Sequence, residues 1–167
     1  MEYFLLRQSE NLIKPFQINL AETDITQEEA FIATGEIEDD TSVPDFFVVK
    51  RVFDHYFFLS DRFKTLIDTY TDEVEAVPVF LTDTKRQKQL CFWKVTVEEV
   101  DCLKWENPMR YDNLTVIAED TDHRFLFRIA FDRQEYLVVS LTLAEHMLRK
   151  NLYGIQYIPL QVEYEED

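Results

Sequence analysis

The sequence uses one arrangement of structural signals twice, at Ser60 and at Ser140. Each serine follows an apolar segment typical of a strand and precedes a stretch in which apolar residues recur at helical spacing. A second strand pattern follows, with Pro78 eighteen residues after Ser60 and Pro159 nineteen residues after Ser140. The repeat predicts two strand–helix–strand units. The prolines favour sheet edges or strand starts over sheet centres.

The two serines have the position of helix caps. A serine that precedes a helix accepts hydrogen bonds from the backbone N–H groups of the first turn, and Asp61 favourably meets the positive end of the helix dipole. A serine used twice in this way indicates a cap rather than a nucleophile. We therefore predict that Ser60 and Ser140 are structural. Asn151 is predicted to end the second helix in a left-handed conformation.

The remaining pattern indicates an α+β fold in a single domain, residues 1–167, with a mixed or antiparallel sheet and few helices packed on it. Thr26 followed by Glu29 predicts a capping box and a short helix that ends at Gly35, with Phe31 and Ile32 as its apolar anchors. The predicted strands include Tyr3–Gln8, 57–59, 74–81, 89–97, 123–131 and 135–139.

Glycine is scarce, because Gly35 and Gly154 are the only two in 167 residues. The glycine-rich loops that bind phosphates in Rossmann and P-loop proteins cannot be formed with these residues. The nucleophile elbow GxSxG and the zinc-binding helix HExxH are absent as well. The sequence therefore predicts no enzyme of these classes and no cofactor.

Negative charge is the most distinctive global property. The chain has 33 acidic and 17 basic residues, a net charge of −16, which argues against phosphate-directed nucleic-acid binding. Nine acids and no Lys or Arg lie between Lys14 and Lys50. One interpretation is a surface that keeps the protein soluble, and the sharper one is a surface that attracts a basic protein. The residues predicted to steer that partner are Glu36, Glu38, Asp39, Asp40 and Asp45.

The same composition predicts a cytoplasmic protein that does not bind membranes, since no apolar run approaches the roughly 20 residues of a membrane span. Cys91 and Cys102 have neither CxxC spacing nor paired histidines nearby, so we expect two reduced, metal-free thiols. A homo-oligomer is left open.

One polar cluster supports a different function. Asp120, Asp122 and His123 offer two carboxylates and an imidazole close together in the sequence, a ligand set for a metal-assisted hydrolase. Acids between two strand patterns more commonly form a solvated loop. Asp54 and His55 are an acid and a base side by side, but neighbouring strand residues point to opposite faces.

The segments FFLSDRFKTLIDTY, VPVFLTD and VDCLKW, together with the second strand–serine–helix unit, resemble a family of bacterial immunity proteins. It is the eleventh immunity family named in polymorphic toxin systems and was formerly a domain of unknown function. The resemblance covers residues 45–162, the family-like core, whereas residues 1–44 are a more variable acidic portion that matches only loosely. It implies a non-catalytic protein that neutralises a toxin by protein–protein contact, and it supplies no catalytic residues. The hydrolase and an acidic structural or adaptor protein remain the alternatives.

Overall fold

A computed structural model of the chain describes residues 1–12, 16–39, 42–105 and 110–165, without the side chains of Glu22 and Thr23. The α-helices within these residues are α1 (Glu22–Ile25), α2 (Asp61–Asp68) and α3 (Leu141–Arg149). The strands are β1 (Tyr3–Gln8), β2 (Ile18–Asn19), β3 (Phe31–Gly35), β4 (Phe46–Lys50), β5 (His55–Ser60), β6 (Glu75–Asp83), β7 (Lys88–Thr96), β8 (Thr115–Ile117), β9 (Leu126–Phe131), β10 (Gln134–Ser140), β11 (Ile155–Pro159) and β12 (Gln161–Glu163).

The strands form three sheets. A six-stranded sheet has the order β2-β3-β6-β7-β5-β4 and is mixed, because β3 runs parallel to β6 while the other pairs are antiparallel. A four-stranded antiparallel sheet has the order β11-β1-β10-β9, and β12 pairs in parallel with β8. The fold is therefore a single α+β domain made mostly of sheet, which confirms the predicted class.

The sequence repeat is also a repeat of topology. The first unit, β4-β5-α2-β6, and the second unit, β9-β10-α3-β11, each consist of a hairpin, a helix and a returning strand. In each sheet a strand from outside the unit lies between the hairpin and the returning strand, antiparallel to both. This middle strand is β7 in the first unit and β1 in the second. The register matches too, since Ser60 pairs with Phe92 and Ser140 with Tyr3.

Apolar residues from both units meet in one core. Helix α2 buries Phe63, Leu66 and Ile67, and α3 buries Leu143, Ala144 and Met147. These residues pack with buried side chains from both large sheets. A second cluster lies between the four-stranded sheet and the β8–β12 pair, and a third lies between the six-stranded sheet and the segment 16–25. Burial of one helical stripe against a sheet supplies most of the stability of short helices such as these.

The helix predicted between Thr26 and Gly35 is wrong. Thr26 is the C-terminal cap of the earlier helix α1, and Phe31–Gly35 is strand β3. Phe31 and Ala33 are buried while Ile32 between them is exposed, which is the two-residue period of a strand. A few apolar residues flanked by polar ones fit either period, and pairing with β6 decides this case.

The prolines bear out the prediction in part. Pro159 ends the edge strand β11. Pro78 lies in β6, a central strand, which differs from the prediction. However, the pairing of β3 with β6 begins only at Val79, one residue further on, so Pro78 lies where β6 has no neighbour on that side among the described residues.

The turns agree with the sequence. Asp132 and Arg133 both have positive φ, 47° and 59°, in the two-residue turn between β9 and β10. Asn151 has φ 53° just beyond α3, as predicted. No helix in the described ranges is long and apolar enough to cross a membrane.

Candidate functional site

Exposed acids lie at both ends of strand β3. Glu28 and Glu29 precede the strand, and Glu36, Glu38 and Asp39 follow it. A five-residue strand is about 17 Å long, so the fields of the two groups overlap at low salt, where the Debye length is ~10 Å or more. We call this region the β3 surface: Glu28, Glu29, Ile32, Glu36, Glu38 and Asp39.

A buried carboxylate positions the acids that follow β3. Asp83, at the end of β6, accepts hydrogen bonds from the backbone N–H of Ile37 at 2.9 Å and from Arg86 through its backbone N–H and its Nη1, each at 3.0 Å. The Ile37 hydrogen bond, together with those from Arg86, lowers the pKa of Asp83 to about 2. Ile37 itself is fully buried. The segment is thus held so that Glu36 and Glu38 face outward.

Basic side chains of the β6–β7 hairpin partly compensate the β3 surface. Arg86 Nη2 lies 3.7 Å from Glu38 Oε1, although Arg86 is shared with Asp83. At the other end Lys94 Nζ donates to the backbone oxygens of Ile25 and Gln27, and burial lowers the pKa of Lys94. The exposed acids therefore keep part of their field, because exposed ion pairs are weak.

Asp45 does not belong to this surface. It is only 4% exposed, and its carboxylate accepts hydrogen bonds from Ser60 Oγ at 2.6 Å, from Arg62 Nε at 2.7 Å and from the backbone N–H of Tyr153 at 2.6 Å. Its charge is used inside the molecule, where the start of α2 meets the end of α3, which argues against the prediction that Asp45 steers a partner. Asp40 lies outside the described residues.

Both predicted caps are present. Ser60 Oγ accepts from the backbone N–H of Phe63 at 3.2 Å, and Ser140 Oγ accepts from that of Leu143 at 3.3 Å. Ser140 is fully buried, whereas Ser60 also donates to Asp45. Their geometry is that of helix N-caps.

The sequence did not reveal the apolar part of the β3 surface. Ile32, at its centre, is 63% exposed, and beside it lies a groove of about 520 Å³ whose walls include Leu20, Asp24, Val49 and Arg51. The predicted helix used Ile32 as an apolar anchor, which hid this feature. The available signal was the alternation of Phe31, Ile32 and Ala33.

A second exposed apolar feature is the tip of the β4–β5 hairpin. Val52 is 88% exposed and Phe53 is 93% exposed. They follow Lys50 and Arg51, the charged patch that interrupts the apolar run in the sequence. Large apolar side chains at such exposure are common markers of contact surfaces when they cluster.

Among the described residues, the predicted metal ligands do not form a cluster. Asp120, Asp122 and His123 are all exposed, in and just after a short 3-10 turn, Glu119–Thr121. In the part of the chain that the structure describes, no three His, Cys, Asp or Glu side chains gather as metal ligands would. The left-handed φ values of Asp122 and His123, 50° and 54°, belong to a tight turn.

Another cleft, of about 280 Å³, lies between the two units. His55 Nε2 is 3.1 Å from Gln134 Oε1, and His55 Nδ1 is 3.8 Å from Glu135 Oε2. Arg128 binds both Glu135 and Glu99. His55 is therefore paired with Glu135 from the other unit rather than with its sequence neighbour Asp54. These contacts join the hairpins of the two units.

The cysteines are free thiols. Cys102 is buried and Cys91 is half-buried. Burial raises the pKa of Cys91 and raises that of Cys102 to about 12. Both groups therefore remain protonated near neutral pH, where a reactive cysteine would be a thiolate.

The described geometry defines an α+β protein with an acid-rich surface around one strand. A scan against models of protein families finds no match, and a search of curated proteins finds none at a significant level. The resemblance to immunity proteins therefore remains a prediction.

Proposed function

We propose that the chain is a non-catalytic binding protein that acts in the bacterial cytoplasm by covering a surface of a basic protein, and that a cognate toxin is this partner. The observation that carries the proposal is the β3 surface: exposed acids at both ends of a strand with exposed Ile32 between them. Charge at the rim speeds association and an apolar centre slows dissociation. The toxin as partner follows from the family resemblance alone.

The test uses the protein encoded by the neighbouring gene and measures association by stopped flow at ~0.1 M and ~1 M salt. The variant Glu36→Lys/Glu38→Lys/Asp39→Lys changes the net charge from −16 to −10, since each substitution adds two charges. We expect its association at low salt to be at least tenfold slower than that of the wild type, with a flatter salt dependence.

The matched control is Asp72→Lys/Asp101→Lys/Asp120→Lys, three exposed acids remote from β3 in sequence, with the same charge change from −16 to −10. It should bind much faster than the β3 variant. Equal slowing of both variants would reduce the effect to net charge and contradict the assignment of the surface. If the neighbouring protein forms no complex, and co-expression gives no protection from its toxicity, the proposed function is wrong.

A further inference from the structure

The outer edge of strand β3 is incompletely paired. Strand β2 has two residues and pairs only with Thr34 and Gly35, so within the described ranges Phe31, Ile32 and Ala33 have a strand neighbour on the β6 side alone. The backbone of such an edge presents N–H and C=O groups that another extended chain can pair with. The open edge spans about 10 Å.

Local structure explains why the chain leaves this edge open. Strand β2 runs antiparallel to β3, and in that register Leu20 would come to face Ala33. Instead the chain turns away at Ala21, the N-cap of α1. The groove of about 520 Å³ lies at this point, bounded by β2, α1 and β3 on one side and by β4 on the other.

One wall of the groove carries an unsatisfied donor. Arg51 donates from Nη2 to the backbone oxygen of Leu20 at 3.2 Å and from Nη1 to that of Lys50 at 3.4 Å. Its Nε is buried and has no hydrogen-bond partner among the described residues. A buried N–H without an acceptor is costly, so this wall of the groove is not fully satisfied by the chain's own groups.

We propose that the open edge of β3 binds an extended segment of the basic partner as an added strand. This inference rests on the proposed function and specifies its mode of binding. Lys and Arg of the segment would face Glu28 and Glu29, which lie beside the open part of the edge, while an apolar residue packs against Ile32. Main-chain hydrogen bonds give such complexes their affinity, and alternate side chains give their specificity.

The negative charge of the β3 surface favours a basic segment over a second copy of this chain as the occupant of the open edge. A second copy of this chain would bring another net charge of −16 and a second set of acids to the same edge. Like charges brought together on paired strands oppose the pairing, whereas a basic segment is attracted to the acids at both ends of β3. Edge charges are a common means of preventing self-association of strands.

The test uses a synthetic eight-residue peptide of alternating Lys and Val, labelled for fluorescence anisotropy, against the full chain. A second peptide has the same sequence with an N-methyl group on every residue, which keeps its charge and removes the backbone donors from both of its edges. We expect the first peptide to bind at least tenfold more tightly than the second. Hydrogen exchange should slow at the amides of Phe31–Ala33 only with the first peptide.

The protein variants are Ile32→Lys and, as a matched control, Leu148→Lys on α3, an exposed residue remote from β3 in sequence. Ile32→Lys should weaken the peptide at least tenfold, while Leu148→Lys should leave it unchanged. Equal binding of both peptides, with salt sensitivity, would overturn strand addition and leave the charge-based function standing. Failure of both peptides to bind would also overturn it, whereas the proposed function is judged separately with the neighbouring protein.

Discussion

Replacing Asp45 tests whether its charge holds the fold or serves a partner. The substitution Asp45→Ala removes the acceptor for Ser60 Oγ, for the Tyr153 backbone N–H and for two nitrogens of Arg62. Hydrogen bonds to a charged group contribute about 1.5–3 kcal/mol each where both partners are buried. The contribution of Arg62 is discounted to about 0.5–1 kcal/mol, because its side chain is 54% exposed.

The remaining two contacts set the size of the effect. The Tyr153 N–H loses its acceptor in a partly buried position, which lowers the free energy of unfolding by about 1–2 kcal/mol. The Ser60 hydroxyl must turn to another acceptor, which lowers it by about 1 kcal/mol more. With Arg62 the sum is about 2.5–4 kcal/mol. That is a large fraction of the 5–15 kcal/mol typical of a domain, and it corresponds to a fall in Tm of roughly 10 °C.

The assay is urea unfolding of the wild type, Asp45→Ala, Arg62→Ala and the double variant. Arg62→Ala on top of Asp45→Ala should cost less than Arg62→Ala alone, since the pair is already broken and only the exposed hydrogen bonds from Arg62 to the backbone oxygens of Lys150 and Asn151 remain to be lost. Asp72→Ala, at an exposed position, is the control and should lie within about 0.5 kcal/mol of the wild type. A loss below about 1 kcal/mol in Asp45→Ala would refute the structural role, as would slower partner association by the fully folded variant.

Three further predictions concern the caps, one carboxylate and the thiols. Ser140→Ala should lower the free energy of unfolding by ~1 kcal/mol and Ser60→Ala by more, because Ser60 also binds Asp45; equal losses would contradict this. The pKa of Asp83 lies below its ordinary 3.8, so its stabilisation is present above pH 4 and is lost towards pH 2. The stability difference between wild type and Asp83→Asn should shrink over that range, and a constant difference would argue against it. Denatured protein should give two free thiols without reduction, with Cys102 unreactive when folded; bound zinc would overturn this.

Much of the fold was predictable because several local signals agreed. The helix after Ser60 combines a cap, an apolar stripe and a following strand, and all three occur as predicted. The segment around β3 has no such agreement. Its short apolar run fits two periods, and the parallel partner β6 that selects the strand lies more than forty residues away.

The candidate site was harder to predict than the fold. A count of acids shows an acidic stretch, and Glu36 and Glu38 are exposed as such a stretch implies. The same count gives no reason to separate Asp45 from these exposed acids, although Asp45 is buried in contacts with Arg62 and Tyr153. Ile32 is exposed and next to a groove for a related reason, since both depend on which strands become neighbours. The composition gives the number of charged residues, whereas the topology of the fold determines which of them are exposed.

The position of β1 also bears on how the protein is synthesised. This strand is synthesised before the other described elements, yet its partners β10 and β11 end at residues 140 and 159. At a synthesis rate of 5–20 residues per second, about 8–30 s pass between the completion of β1 and the completion of β11. The first unit has its middle strand, β7, as soon as residue 96 is made. Until β10 and β11 are made, the apolar residues Phe4, Leu5 and Leu6 have no sheet to pack in. If β1 pairs instead with the second unit of another copy of the chain, the product is a domain-swapped dimer with native contacts.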